Sequence, residues 1–200
     1  MIFHKHQLVF IAIPKTASTS IWWLLKNRTD GWDGHQHMSM IEVYSKNDKD
    51  LVDFYYSFAV VRNPYTRFIS AFKHMKKNRS LGSGIETPLD KLKDLYKKMQ
   101  TSENKILERH MDDDVWIPQN QWCCIHKIPV VDKIMRYETL EDEWNNFVEF
   151  QNARIPISHI SDDLPKHNVG DDSEIILGEE EKKYIQKIYR NDFAIFGYSI

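Results

Sequence analysis

The sequence contains little glycine, and none of it lies near the start. Seven glycines occur among 200 residues, and none stands between Met1 and Asp30. A Walker A loop requires the pattern G-x-x-x-x-G-K-[ST], because its glycines let the backbone wrap around the phosphates of a nucleotide. The absence of this glycine pair argues against a P-loop kinase or another enzyme that transfers phosphoryl groups.

Cysteine is also scarce. The two cysteines are neighbours, Cys123 and Cys124. A disulfide between adjacent residues is strained, and the pair lacks the spacing of a metal site. We therefore expect both to be small buried residues in a reducing compartment.

Long apolar runs and a strong net charge are missing as well. The formal net charge is −2, which gives no overall attraction to nucleic acid or to an anionic membrane. No apolar stretch approaches the length of a transmembrane helix, and no secretory signal pattern is visible. We expect no nucleic-acid partner and no membrane anchor in this chain. The sequence makes no prediction of the oligomeric state.

A hydroxyl-rich turn follows the first apolar run. Residues 8–13 are apolar and lead into Pro14-Lys15-Thr16-Ala17-Ser18-Thr19-Ser20, here called the anion loop. The pattern predicts a buried strand, a tight turn and the start of a helix. The first N–H groups of a helix lack intrahelical partners and carry the positive end of its dipole, so they bind anions. Lys15 adds a positive charge, and the hydroxyl groups add donors. An ordinary helix start with Ser and Thr caps is the alternative.

A second segment repeats this arrangement. Residues 58–61 form an apolar run that ends at Arg62, whose planar fork suits a phosphate. Pro64 suits the first position of a helix. Arg67 and Ser70 are three residues apart, so they project from nearby parts of one helix surface. Two anion sites at the carboxyl ends of two strands favour a ligand with two separated anionic groups.

Together these segments resemble the nucleotide motifs of sulfotransferases that use 3′-phosphoadenosine 5′-phosphosulfate (PAPS). The anion loop is similar to their 5′-phosphosulfate loop, and Arg62-Asn63-Pro64-Tyr65-Thr66-Arg67-Phe68-Ile69-Ser70-Ala71-Phe72 is similar to their 3′-phosphate motif, R-[ND]-P-x-x-R-x-x-S-x-[FY]. The closest similarity is to the carbohydrate branch, of the heparan and chondroitin type. The resemblance implies an α/β, P-loop-like three-layer sulfotransferase fold with a small central parallel sheet flanked by helices. We expect one such domain over residues 1–200.

The resemblance also implies a reaction. The sulfuryl group of PAPS would pass to a hydroxyl of an acceptor, which we expect to be a glycan, without a metal. A nucleotide-binding protein of this fold without catalysis and a P-loop-type kinase are the alternatives. The family anchors its eukaryotic carbohydrate members in a membrane, so we expect a cytoplasmic bacterial or viral protein, or a trimmed form of an anchored enzyme. The implied donor-binding residues are Pro14, Lys15, Thr16, Ala17, Ser18, Thr19, Ser20, Arg62 and Ser70, with Lys166 and Asn168 from a segment that resembles the family's H-x-N motif.

A general base is expected between residues 34 and 43, where the family places a histidine or a glutamate. The acceptor hydroxyl must lose its proton as it attacks sulfur, and imidazole titrates near neutral pH. His37 matches best, His35 is the alternative, and Glu42 is a further one. Lys15 completes the implied catalytic set, since it would stabilise charge on the leaving group.

Two further segments resemble the family. Residues 117–122 resemble a P-Q segment that borders the acceptor pocket. Residues 136–140 resemble an R-[YF]-E-x-L junction, in which Tyr137 and Glu138 would fix a turn. Arg67 would either assist in donor binding or brace its helix. Periodicity predicts strands at 8–13, 52–61 and 128–136, and helices at 18–27, 65–76, 88–100, 102–111, 141–150 and 179–191.

Overall fold

The computed structural model describes residues 1–26, 37–109, 113–164 and 175–200. The chain divides into two compact units. The first comprises Met1–Arg62 and Gln121–Asn168, and the second comprises Asn63–Asn120 and Val169–Ile200. The single domain expected over residues 1–200 remains a prediction.

The first unit contains a four-stranded sheet in the order β1-β2-β3-β6. Strand β1 is antiparallel to β2, whereas β2, β3 and β6 are mutually parallel neighbours. A separate antiparallel pair is formed by β4 and β5. The strands are β1 Ile2–Phe3, β2 Leu8–Ile11, β3 Tyr56–Val61, β4 Cys124–Ile125, β5 Ile128–Pro129 and β6 Lys133–Arg136.

Apolar side chains pack on the central strands of this sheet. All four residues of β2 are fully buried, as expected of a central strand covered on both faces. Phe10 of β2 stacks on Phe58 of β3 with ring centroids 4.7 Å apart, and Trp144 packs against the same cluster. The helices that lie in this unit or enter it are α1 Ser18–Leu25, α2 Met40–Lys46, α3 Lys49–Phe54, α6 Asn120–Cys123 and α7 Leu140–Arg154.

The described part of the second unit is helical. Helix α5 packs along α8, and α8 also packs against α4 and α9. Pro64 and Pro88 occupy first helical positions, where their missing N–H groups cost nothing. The helices are α4 Pro64–Lys77, α5 Pro88–Thr101, α8 Glu179–Ile188 and α9 Arg190–Phe196.

The predicted fold class is confirmed, since a small parallel sheet is flanked by helices. Within the described residues, no helix is long and apolar enough to cross a membrane. Both cysteines are buried thiols, as expected.

Two predicted strands are partly wrong. Residues 52–54 end helix α3 instead of beginning a strand, because Asp48 caps that helix and accepts a hydrogen bond from the Leu51 N–H at 3.1 Å. The predicted strand at 128–136 is two strands. Its first part pairs with β4 in an antiparallel hairpin, and only Lys133–Arg136 joins the parallel sheet.

Two predicted helices also differ from the structure. Within the predicted helix 102–111, the described residues 102–109 form turns. There the Ser102 hydroxyl bonds to the carbonyls of Met99 and Ile106 at 3.0 and 2.7 Å, which ends α5. The predicted final helix breaks at Tyr189, and a second helix, α9, continues to Phe196, where Gly197 follows in a left-handed conformation.

Candidate active site

Three neighbouring parallel strands end at one edge of the sheet in the first unit. Ile11 of β2 is in register with Ala59, and Val61 of β3 is in register with Arg136 of β6. The chain therefore leaves the sheet on the same side at Ala12, Arg62 and Tyr137. Open α/β sheets bind ligands beyond the carboxyl ends of their strands. This edge is the candidate active site.

The anion loop adopts left-handed backbone conformations without glycine. Lys15 has φ 69° and Ala17 has φ 63°, a region that costs a residue with a side chain about 1–2 kcal/mol. Such strain clusters at functional sites. Left-handed residues in a turn help to direct successive N–H groups toward one point, which forms an anion-binding concavity. The loop therefore replaces the missing glycines with strained residues.

Helix α1 continues from this turn. It begins at Ser18 directly after the left-handed Ala17, and the N–H of Ile21 donates to the Ala17 carbonyl at 3.2 Å. Thr16 is fully buried, and its hydroxyl donates to the Ile13 carbonyl at 2.9 Å. Its hydroxyl proton therefore braces the turn, whereas the backbone at the helix start presents the positive end of the dipole.

Arg62 lies beside this loop and contacts both an aromatic ring and a backbone carbonyl. Its guanidinium carbon lies 4.0 Å from the centroid of the Tyr137 ring. One of its nitrogens, Nη1, donates to the Lys15 carbonyl at 3.4 Å. An aromatic face attracts a cation, and guanidinium planes stack well on such rings. The arginine at the end of β3 is thus oriented by the residue at the end of β6 and by the anion loop itself.

His37 is fixed to the same edge of the sheet. Its Nδ1 atom lies 2.7 Å from the Ala12 carbonyl oxygen. A carbonyl oxygen only accepts, so Nδ1 carries the proton in this bond, and the neutral ring has its lone pair on Nε2. The side chain is half-buried. This is the tautomer that a general base requires.

The neighbours of His37 are themselves well ordered by local bonds. The carboxylate of Glu42 accepts from the N–H of Ser39 at 2.7 Å and from its hydroxyl at 2.8 Å. The Glu42 N–H donates to the Ser39 hydroxyl oxygen at 3.4 Å, which completes the capping box of α2. These bonds give Glu42 a structural role at the helix start and weaken its case as the base. The fully buried Trp122 meets the His37 ring edge to face at 6.1 Å.

A comparison with models of protein families decides the classification. Residues 1–199 match the model described as the sulfotransferase family. The chain belongs to this sulfotransferase family. Comparisons with curated proteins and with solved structures gave no match.

Membership of the sulfotransferase family makes the chain an enzyme that transfers sulfuryl groups, and its acceptor bears a hydroxyl. In the described ranges 1–26, 37–109, 113–164 and 175–200, no group of three or more His, Cys, Asp or Glu side chains is placed to hold a metal ion. Three residues of the expected site, His35, Lys166 and Asn168, lie outside the described residues.

The second unit contains the other residues of the Arg62 motif. Ser70 is half-buried on α4. Arg67 is only 2% exposed, and its Nη2 donates to the carbonyls of Val115 and Ile117 at 3.1 and 2.9 Å. Arg67 is expected either to assist in donor binding or to brace its helix, and these bonds correspond to bracing.

Asp192 is the buried acid of the same unit. Its carboxylate accepts from the N–H groups of Gln119 and Asn120 at 2.8 and 2.9 Å. Burial raises the pKa of this carboxyl, and the charge of Arg67 and the hydrogen bonds oppose that rise. Asp192 therefore fixes the centre of residues 117–122, the segment that we expect to border the acceptor pocket.

Sequence reasoning missed two contacts of the site. Tyr137 was expected only to fix a turn, yet its ring stacks on Arg62. The sequence did carry a signal for this contact. Tyr137 directly follows the third parallel strand, and Arg62 directly follows the second, so both lie at the same end of the sheet. The Trp122–His37 contact joins residues 85 positions apart (122 − 37), and no local pattern announces it.

Proposed function

We propose that the protein transfers the sulfuryl group of PAPS to a hydroxyl of a carbohydrate acceptor, with His37 as the general base. The observation that supports this most strongly is the bond from His37 Nδ1 to the Ala12 carbonyl. With the proton on Nδ1, Nε2 is the basic nitrogen of His37. The carbonyl that fixes the ring belongs to Ala12, two positions before Pro14. The proton acceptor and the anion loop thus belong to one local structure.

The anion loop is proposed to bind the 5′-phosphosulfate of the donor. Residues Pro14 to Ser20 combine a strained turn, a helix start and the Lys15 ammonium, all of which favour an anion. As the bond between sulfur and the bridging oxygen breaks, negative charge grows on that oxygen. Fixed N–H dipoles and Lys15 would stabilise this charge without reorganisation.

Arg62 is proposed to bind the 3′-phosphate. Its stacking on Tyr137 orients a planar fork that matches two phosphate oxygens. A 3′-phosphate distinguishes PAPS from donors such as ATP, so this arginine would set donor specificity. The proposed contribution of the Ser70 hydroxyl rests on the sequence motif.

The proposed step balances as one transfer. The acceptor oxygen forms a bond to sulfur while the sulfur–oxygen bond to the donor phosphate breaks. The hydroxyl proton moves to His37 Nε2, and 3′-phosphoadenosine 5′-phosphate (PAP) leaves with the electron pair. No redox change occurs, and the protein provides the base, the orientation and the electrostatic stabilisation.

Kinetic comparison of three variants tests the proposal. His37→Ala should lower turnover by roughly two to four orders of magnitude, because a general base is lost, and PAP affinity should stay near that of the wild type. Lys15→Ala should lower both turnover and donor affinity. His159→Ala is the matched control, since His159 is an exposed histidine of the same unit, and it should retain wild-type rates.

The pH profile adds a second measurement. Wild-type turnover should decline on the acidic side as the imidazole becomes protonated and can no longer accept a proton. Retention of turnover by His37→Ala together with its loss in His35→Ala would move the base by two residues. Wild-type turnover in both variants would contradict a histidine base.

A further inference from the structure

Trp122 is a fully buried tryptophan that lies against the candidate base. The centroids of its indole ring and of the His37 imidazole are 6.1 Å apart, and the two ring planes meet at 72°. Aromatic rings attract each other in this edge-to-face arrangement at centroid distances of about 4.5–7 Å. The indole therefore restrains the plane of the imidazole ring in addition to filling space in the core.

The hydrogen bond of His37 is a restraint of a different kind. Its Nδ1 atom lies 2.7 Å from the carbonyl oxygen of Ala12. A single hydrogen bond tolerates a misalignment of about 30°, so this bond alone permits the ring to tilt. The bond sets the position of Nδ1, and the indole of Trp122 limits the tilt of the ring. Together the two contacts fix the direction in which Nε2 points.

The β4–β5 hairpin restrains Trp122 from its carboxyl side. The carbonyl of the next residue, Cys123, accepts from the N–H of Val130 at 2.9 Å. The register of β4 and β5 closes the hairpin through His126 and Lys127. Both have positive φ, 49° and 68°, as the commonest two-residue hairpin turn requires. The backbone that carries the indole is therefore continuous with a hydrogen-bonded unit.

We propose that Trp122 is a positioning residue of the reaction, and that its indole holds the His37 imidazole in the tautomer and orientation in which Nε2 takes the proton of the acceptor. The inference rests on the proposed function, which makes His37 the base. A base must lie within hydrogen-bond reach of the proton that it removes, and a small displacement of a reacting group lowers the rate strongly. A tryptophan that only packed in the core would affect stability alone.

Nitrogen-15 NMR of the histidine rings, recorded on the protein without ligands, tests the orientation directly. The spectrum of His37→Ala identifies the His37 signals. In the wild type, neutral His37 should be a single Nδ1–H tautomer, with nuclear Overhauser contacts to the Trp122 ring. Trp122→Leu should show a mixture of the two tautomers, because the ring is then free to tilt. Trp122→Phe keeps an aromatic ring and should restore the Nδ1–H form.

Turnover of PAPS with unsulfated chondroitin as the acceptor measures the consequence for the reaction. Trp122→Leu should lower kcat about tenfold, the effect of losing one aromatic contact, and the KM for PAPS should stay near that of the wild type. Trp122→Phe should recover most of the rate. No turnover by the wild type would count against the proposed carbohydrate acceptor, and the NMR result would still decide the role of Trp122.

Trp144→Leu provides the matched control. Trp144 is an equally buried tryptophan of the same unit, and it packs against Phe58 in the core of the sheet. Its loss should lower stability but leave the tautomer of His37 and kcat unchanged. A wild-type tautomer in Trp122→Leu, or an equal change in Trp144→Leu, would overturn the inference.

The wild-type spectrum decides the matter if Trp122→Leu does not fold. Contacts between the two rings together with a single Nδ1–H form support the inference, and two tautomers of His37 overturn it. The Tm with PAP separates this result from the proposed function. A Tm that PAP does not raise would overturn the proposed donor, whereas the orientation of the His37 ring is measured without any ligand.

Discussion

Two arginines of one short motif have different environments in the two units. Arg62, at the carboxyl end of β3, is half-buried, stacks on Tyr137 and donates to the Lys15 carbonyl of the anion loop. Arg67, five residues later on α4, is 2% exposed and donates to two backbone carbonyls. Arg62 is thus oriented beside the proposed anion loop, whereas Arg67 satisfies carbonyl acceptors of its own unit.

The two environments show that burial decides the role of an arginine. A cation that already satisfies carbonyl groups and faces the buried carboxyl of Asp192 stabilises the fold, and its removal leaves those groups uncompensated. A cation stacked on an exposed ring keeps donors oriented at a strand end. Loss of Arg67 should therefore mainly lower stability, whereas loss of Arg62 should mainly weaken donor binding.

The largest expected effect is on folding. Arg67→Ala should lower the free energy of unfolding by about 3–5 kcal/mol, since it breaks a buried charged network. The measurement is urea unfolding followed by circular dichroism. Arg62→Ala is the comparison variant, and its free energy of unfolding should change by no more than about 1 kcal/mol, as is usual away from buried features. Equal losses in both variants would erase the distinction.

The second effect is on donor binding. Arg62→Ala should weaken PAP binding by about 2–4 kcal/mol, because it removes a charged partner of a phosphate. Calorimetry at a temperature where both variants are folded measures this loss. For Arg67→Ala, folded protein should retain near wild-type affinity. A PAP affinity of Arg62→Ala equal to the wild type would remove the basis for a 3′-phosphate site.

A smaller effect should follow from the ring beneath Arg62. Tyr137→Leu should weaken PAP binding by about 0.5–2 kcal/mol, the range of a cation–π contact. Tyr137→Phe keeps the ring and should bind PAP as the wild type does. If both substitutions weaken binding equally, the tyrosine hydroxyl rather than the stacked ring carries the contribution.

The smallest effect concerns pH and the buried acid. Because burial raises the folded-state pKa of Asp192 above its usual 3.8, the folded protein holds this proton at a pH where the unfolded chain has lost it. This group therefore contributes stability at low pH that is lost as the pH rises through the folded pKa. Asp192→Asn should remove the contribution of this group to the slope of the unfolding free energy against pH. Parallel curves of unfolding free energy against pH for the two proteins would contradict this account.

Much of the sheet edge was predictable from local pattern. Apolar runs that end in Pro14 and Arg62 identified β2 and β3, and parallel strands end on one side, so Lys15 and Arg62 were expected together. The prediction of a strand at residues 52–54 is wrong because a short apolar run such as Leu51-Val52 is compatible with a strand or a helix. The Asp48 cap selects the helix.

Contacts between distant segments were beyond such reasoning. The contact between Trp122 and His37 joins residues 85 positions apart in the chain (122 − 37), and no local pattern encodes it. The break at Tyr189 has a similar origin. Its hydroxyl donates to the Trp116 carbonyl at 2.8 Å, and its ring is almost fully buried. Tertiary packing of this kind overrides local helical preference.

We propose that this sulfotransferase binds a donor with separate 5′ and 3′ anionic groups. The most direct test of this proposal is the Tm of the wild-type protein with PAP and with AMP at equal concentrations. A ligand that binds the folded state raises the Tm according to its affinity. PAP should raise the Tm markedly and AMP much less, because AMP lacks the phosphate assigned to Arg62. Equal shifts with the two nucleotides would contradict the account.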